Sequence, residues 1–136
     1  MCLNLKKTKE TFEEHLEIAQ EDIVVWKVMG YKSKYLGLWR RFYSYYQEYV
    51  YKFNRIYTVS EFTYDIRAYG INMYYEIYKG LHAYLTYGDA YIFIEQWVDN
   101  RNVVEIVKCI IPKGTEYLKN DTEIVSKAIK IIKCVK

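Results

Sequence analysis

The sequence predicts an α+β domain, a small mixed or antiparallel sheet with one well-defined helix at about 87–98 and a short N-terminal helix. Three observations predict it. Ala90, Phe93, Ile94, Trp97 and Val98 recur at the spacing of a single helical face. Residues 22–29 and 103–111 are instead rich in β-branched side chains, and the second run is apolar on both alternating faces, as a central strand requires. Pro112-Lys113-Gly114 then supplies turn chemistry, proline setting φ and glycine closing the turn, before a C-terminal stretch that reads as a β-meander.

Taken in order, residues 11–20 open with a Thr-x-x-Glu capping box at Thr11 and Glu14, and place Phe12, Leu16 and Ala19 at helical spacing. A short helix is expected there. Residues 22–29, DIVVWKVM, read as a buried strand stopped by Gly30. From 31 to 57 aromatic residues fall at almost every second or third position, fitting a helix face at Phe42, Tyr46, Tyr49 and Phe53 and alternation at Tyr43, Tyr45, Tyr49 and Tyr51. Tyrosine this dense favours extended chain. Residues 58–70 suggest a strand followed by a loop, and 71–78 resume β-like composition and continue through Gly80 to Leu85. Thr86 is placed to cap the main helix, with Asp89 at its N3 position suiting the positive end of the dipole.

With 136 residues, 51% hydrophobic and 27% charged, the chain fits a single globular domain, 1–136, able to bury a core without metals or disulfides. No window reaches the roughly 18–20 apolar residues of a spanning helix, and the N-terminus has no apolar leader, so a cytoplasmic protein without membrane association is expected. Cys2, Cys109 and Cys134 have neither disulfide nor zinc spacing and read as buried or free thiols. No phosphate loop, dinucleotide fingerprint, nucleophile elbow or metal-ligand cluster occurs, and no cofactor is implied. Binding is therefore expected over catalysis.

The net charge of +3 is unevenly spread: −3 over 1–25, +6 over 26–57, −4 over 58–100 and +4 over 101–136. In the basic block twelve aromatics accompany the excess charge, with Arg40-Arg41 beside Phe42-Tyr43 and Tyr45-Tyr46. Rings that stack on bases beside guanidinium groups that hold phosphates are what nucleotide binding needs. Tyrosines also alternate in any sheet with one wet face, which is the commoner reason for such a pattern. His82 and Tyr84, two residues apart, share a face if the segment is extended, and could hold a ribose or base. A hydrogen-bonded structural histidine is the commoner outcome. Arg40 and Arg41 as phosphate contacts, Tyr45, Tyr46 and Tyr84 as stacking rings, and His82 and Lys113 as hydrogen-bonding groups form the candidate ligand site.

Trp26-Lys27-Val28, Ser44-Tyr45-Tyr46, Gly80-Leu81-His82-Ala83-Tyr84, Ile111-Pro112-Lys113-Gly114-Thr115-Glu116-Tyr117 and Glu123-Ile124-Val125-Ser126 together resemble a family of small uncharacterised proteins of phages and prophages of anaerobic bacteria. Tyr45 stands where that family usually has proline. The resemblance covers most of the chain and implies a viral accessory factor of the host-takeover or counter-defence kind. Tyr84-Leu85-Thr86, Ala90 and Pro112-Lys113-Gly114 are also similar in order to ADP-ribosyltransferase-like folds, which would make Glu123 the acid. The leading expectation is a protein that sequesters a nucleotide-like ligand, such as a host immune signal. A module that blocks a host protein, or self-assembles through an aromatic surface, is the alternative, and ADP-ribosyl transfer is third.

Overall fold

The computed structural model describes residues 3–33, 40–44, 50–51, 54–97 and 104–134, with side chains placed for 3–29, 54–97 and 104–132. Its strands are β1 (Leu3–Lys6), β2 (Glu17–Ile18), β3 (Ile23–Ser33), β4 (Arg40–Ser44), β5 (Val50–Tyr51), β6 (Ile56–Thr58), β7 (Thr63–Tyr69), β8 (Asn72–Lys79), β9 (Leu81–Tyr84), β10 (Val104–Ile111), β11 (Glu116–Lys119), β12 (Glu123–Ser126) and β13 (Ala128–Cys134), and its helix is α1 (Tyr87–Trp97). The described pairings are all antiparallel. A small sheet runs β1-β8-β7, and a large one runs β2-β11-β12-β9-β3-β10-β13-β6, with β4 on β3 and β5 on β4.

The large sheet cannot be flat. β12 and β13 are separated by Lys127 alone, yet β9, β3 and β10 stand between them. Two peptide steps reach at most about 7 Å, whereas strands four places apart in a flat sheet lie about 19 Å apart. The sheet therefore curls until the two ends meet. Lys127 fastens the corner: its N–H donates to the Glu116 carbonyl (3.1 Å), its own carbonyl accepts from the Val59 N–H (2.9 Å), and its Nζ pairs with the Glu116 carboxylate at 3.0 Å. Ser126, fully buried beside it, donates its hydroxyl to the Ala128 carbonyl at 2.9 Å.

The concave face holds an apolar cluster that includes Val25, Met29, Val107, Ile111, Ile124 and Ile131. The outer face is covered twice. Ala90, Phe93 and Ile94 of α1 pack on Val28, Tyr84 and Ile106, while Leu3, Tyr75 and Ile77 of the small sheet pack with Phe12 on Leu118 and Val125. β3 and β10 are thus buried on both faces, as the apolar pattern of 103–111 predicts.

The helix begins as its sequence requires. The Thr86 hydroxyl oxygen accepts the Asp89 N–H at 3.0 Å and its O–H donates to the Asp89 carboxylate at 2.7 Å, so one open N–H of the first turn is satisfied and a negative group sits at the positive end. Trp97, expected on the core face, is instead 67% exposed. Packing ends one turn earlier, at Ile94.

Three further expectations are corrected. The N-terminal helix is a single 3₁₀ turn, Glu13–His15, with no side-chain cap, and Leu16 already has extended backbone with ψ 133°. Tertiary contacts override the capping box: Phe12 is buried, stacked on Tyr64 at 3.9 Å and edge-on to Tyr75, and residues 17–18 pair with β11. The C-terminal strands are also not a meander, because β11 and β12 form a hairpin but β13 crosses to β10 and β6. Gly30 does not stop β3, which continues to Ser33 and carries β4.

Gly80 links the two sheets, and its φ of +152° is one that L side chains rarely adopt. A Cβ there would lie 2.3 Å from Val125 Cγ2 and 3.1 Å from the Phe62 ring, whereas at Gly114, with φ +87°, nothing lies within 4 Å. Gly80→Ala is expected to cost about 3 kcal/mol or more, combining backbone strain with overpacking, and Gly114→Ala about 1–2 kcal/mol from backbone strain alone. Urea midpoints of the two variants, at unchanged slope, measure the ranking.

Candidate functional site

The structure separates the residues that the sequence groups together. Arg41 and Arg40 pair with Lys32 and Ser33 at the far end of β3, while Lys113 is an exposed turn residue beyond the Ile23↔Ile111 pair at the other end, its N–H held by Asp22 at 2.9 Å. Ten residues of strand, roughly 33 Å, lie between these levels. One nucleotide cannot bridge them directly. Tyr45 and Tyr46 lie outside the described residues, as do the side chains of Arg40 and Arg41.

His82 and Tyr84 share a face of β9, as their spacing predicts, but that face is covered. Tyr84 is 7% exposed and packs against Phe93 of α1, with ring centroids 5.7 Å apart. It is a core residue. The His82 ring lies against the β8–β9 connection, with Nε2 3.1 Å from the Tyr78 carbonyl. Because that carbonyl only accepts, Nε2 carries the proton and Nδ1 is left as a buried lone pair with no hydrogen-bond partner among the described residues. Burial lowers the His82 pKa to about 4, the hydrogen bond to Tyr78 opposing and the charge of Lys27 assisting.

Lys27 is the group that sequence reasoning passed over. It alternates with Val25 and Met29, facing the interior of the curled sheet, and is only 4% exposed. Its Nζ donates to the main-chain carbonyl of His82, near the one described β3–β9 pair, Trp26↔Tyr84. Desolvation lowers its pKa to about 8, and the same low-dielectric surroundings push the neighbouring Cys109 thiol up to about 12. A lysine placed in register with apolar residues on a two-face-buried strand was the available signal. Lys27 and Cys109 are enclosed, and His82 is half-buried with its Nδ1 out of solvent, so their chemistry bears on stability before it bears on any solute.

Open concavity lies elsewhere, along the small sheet and the N-terminal segment. A groove of about 680 Å³ runs between β1 and the β11–β12 turn, lined by Lys6, His15, Tyr74, Lys119, Asn120 and Asp121 among others. Lys6 and Thr8 also border a more open hollow of about 860 Å³ beside Lys7, Lys9, Glu10 and Glu14. Asn120 builds the groove wall: its Oδ1 accepts the N–H groups of Thr122 (3.0 Å) and Glu123 (2.8 Å), and its Nδ2 donates to the Asn4 carbonyl at 3.1 Å. His15 closes the other end. Its Nδ1 donates to the Thr11 carbonyl at 3.0 Å while Nε2 faces the Thr8 N–H at 3.3 Å, which pins the 8–15 loop. Lys6 and Lys119, from different elements, are exposed cations on this groove. Glu123, just behind it, is half-buried, and desolvation raises its pKa against the opposing Asn120 hydrogen bond.

Fold and groove together define a small antiparallel α+β domain with a basic, partly aromatic cleft on its N-terminal layer. Comparison with known protein families, with curated proteins and with solved structures gives no match to the chain. Among the described residues there is no group of three or more His, Cys, Asp or Glu side chains placed to hold a metal ion, and no helix is long and apolar enough to cross a membrane.

Stability is expected to fall with acid as His82 titrates. Its folded pKa lies below 6.5, so the unfolded chain takes up the extra proton, and about 3 kcal/mol is lost as pH drops from 6.5 to 4. For Lys27 the folded pKa, also depressed, makes stability rise with pH from about 8 toward 10.5, with Cys109 opposing above 9 as its thiol ionises in the unfolded chain. Lys27→Met is expected to add about 1–2 kcal/mol at pH 7, because removing a buried charge outweighs the lost hydrogen bonding to the His82 carbonyl, and to abolish the rise between pH 8 and 9. Urea unfolding at stepped pH reads both limbs.

Proposed function

We propose that this protein is a phage-type accessory factor that captures a nucleotide-like ligand, such as a host immune signal, without turning it over. The observation that carries the reading is the groove between β1 and the β11–β12 turn. Its volume of about 680 Å³ suits a small ligand, and it brings two lysines from distant sequence positions alongside an aromatic ring. Lys6 and Lys119 would hold phosphate and Tyr74 would contact the base, while the Asn120 side chain is already committed to holding the wall, against the Asn4 main-chain carbonyl. Phage origin and a counter-defence role rest on the motif resemblance, whose Leu81–Tyr84 and Glu123–Ser126 segments form the paired strands β9 and β12. The sequence-derived set around His82 is less suited, because His82 and Tyr84 are covered.

Isothermal titration with cyclic mono- and dinucleotides and with ADP-ribose-type ligands tests this. Saturable binding is expected, weakened about tenfold or more in Lys6→Ala/Lys119→Ala, a loss of about 1.4 kcal/mol. Absence of heat with every ligand class ends the reading.

A protein-blocking module is the second reading, favoured by the outer face of α1. Tyr87, Tyr91, Ile92 and Trp97 are each 42–67% exposed on one short helix, which is aromatic composition enriched at interfaces. Capture of a discrete host protein that is lost in Tyr91→Asp/Trp97→Asp but retained in Lys6→Ala/Lys119→Ala supports this reading over the first. The reverse pattern eliminates it.

A further inference from the structure

We propose that β7 is a self-pairing edge through which two copies of this chain join antiparallel about a two-fold axis at Ile66, making one continuous six-stranded sheet. Among the described residues β7 pairs with β8 alone, so seven residues of main chain, Thr63–Tyr69, present an open edge. This edge has no proline and no lysine, its one register irregularity lies at its start, between Thr63 and Tyr64, and its two charges, Asp65 and Arg67, are of opposite sign. It also carries apolar side chains in the open. Ile66 is 50% exposed and Tyr69 56%, and the adjoining hairpin turn leaves Ile71 99% and Met73 42% exposed.

The occupant follows from the order of residues on the strand. Tyr64 lies on the inner face, stacked on Phe12 at 3.9 Å, and strand alternation places Ile66 and Ala68 on the same face. Asp65, Arg67 and Tyr69 therefore occupy the outer face, where Arg67 meets Glu76 at 3.1 Å and Asp65 at 3.8 Å and Tyr78 donates to Asp65. Residues directly opposite in an antiparallel pair share a face, so a register that sets an inner residue against an outer one breaks the sheet. Among the remaining registers, a two-fold at Asp65 sets Asp65 against Asp65, and one at Arg67 sets Arg67 against Arg67. A two-fold at Ile66 instead sets Asp65 against Arg67 twice, Tyr64 against the small Ala68 twice, and Ile66 against its own copy. Charge, size and polarity are all complementary in that register. No second protein needs to be invoked to supply the matching strand, because the strand is its own complement, and an isologous two-fold contact closes after two copies. Asp65 and Arg67 are each more than half exposed and so available to a partner strand.

Sedimentation velocity over a concentration series and cysteine pairing test the proposal in the full chain with Cys2 and Cys134 replaced by serine. A concentration-dependent monomer–dimer equilibrium is expected, with Ile66→Lys weakening dimerisation at least tenfold while leaving the urea midpoint near that of the parent. Under mild oxidation Ile66→Cys is expected to cross-link to itself. Asp65→Cys and Arg67→Cys are expected to cross-link poorly alone and efficiently when mixed, since only their mixture places thiols opposite each other. A strictly monomeric parent at high micromolar concentration overturns the inference, as does a dimer that Ile66→Lys leaves intact. Cross-linking of Asp65→Cys to itself in preference to the mixture also overturns it.

Discussion

Everything in this domain follows from the single residue between β12 and β13. Because Lys127 alone must carry the chain across a distance that four strand positions would make about 19 Å in a flat sheet, the large sheet has to curl on itself. Curling encloses a narrow interior, which is why the buried members of the cluster there are Val, Ile, Leu, Ala, Met and Cys, with Tyr57 and Tyr117 only at its margin. The buried aromatic rings, Tyr75, Tyr84, Phe12 and Phe93, lie instead on the outer face, under α1 and under the small sheet. The ion pair of Lys127 with Glu116 is partly exposed and adds little by itself. The two main-chain hydrogen bonds at the corner and the buried Ser126 hydroxyl are what hold the ends together.

Enclosure also explains why a charged group sits inside. Lys27 occupies an interior position where β3 and β9 share only one described pair, and its ammonium satisfies the His82 carbonyl near that pairing. A buried ammonium costs more than one hydrogen bond returns. What the lysine fixes is geometry: it ties β9 to β3 near the point where β4 takes over the same edge of β3, since β4 pairs with residues 29–33 and β9 with residue 26. The His82 ring, on the opposite face, is kept neutral by burial, with the charge of Lys27 assisting and the hydrogen bond to the Tyr78 carbonyl opposing.

Local signals in the sequence carried over well and long-range ones did not. Thr86 and Asp89 cap α1 as expected, and the both-face apolar pattern of 103–111 marked β10 as central, because each depends on neighbours within a few residues. The capping box at Thr11 was equally local and yet failed, since the burial of Phe12 between Tyr64 and Tyr75 outweighs a cap of about 1 kcal/mol. Trp97 fits the helical period and is nonetheless 67% exposed. Pairing between β13 and β10, or between Asn120 and the Asn4 carbonyl, joins residues that no periodicity relates. The groove at Lys6 and Lys119 was invisible for the same reason, being assembled from the two ends of the chain. His82 and Tyr84 were correctly placed on one face, but nothing in their spacing could show that α1 and the small sheet cover it.

The two sheets resolve their edges differently, and this difference locates the surfaces open to other molecules. The large sheet brings its ends together at the Lys127 corner, so its concave face is sealed and its reactive groups, Lys27 and Cys109, are withdrawn from solvent. The small sheet has three strands and cannot close, because a closed barrel needs more strands than that to turn a full circle. It packs one face on Leu118 and Val125 and leaves both edges unpaired by further strands among the described residues, β1 facing the basic groove and β7 facing outward. Asn120 takes one main-chain group of the β1 edge and leaves room for a small ligand, whereas β7 has no such neighbour among the described residues, and its side chains alternate between charged and apolar groups. Interior rigidity is thus concentrated in the closed sheet and recognition in the open one, and the N-terminal segment that forms β1 is what makes a three-stranded layer, with two distinct edges, out of the β7–β8 hairpin.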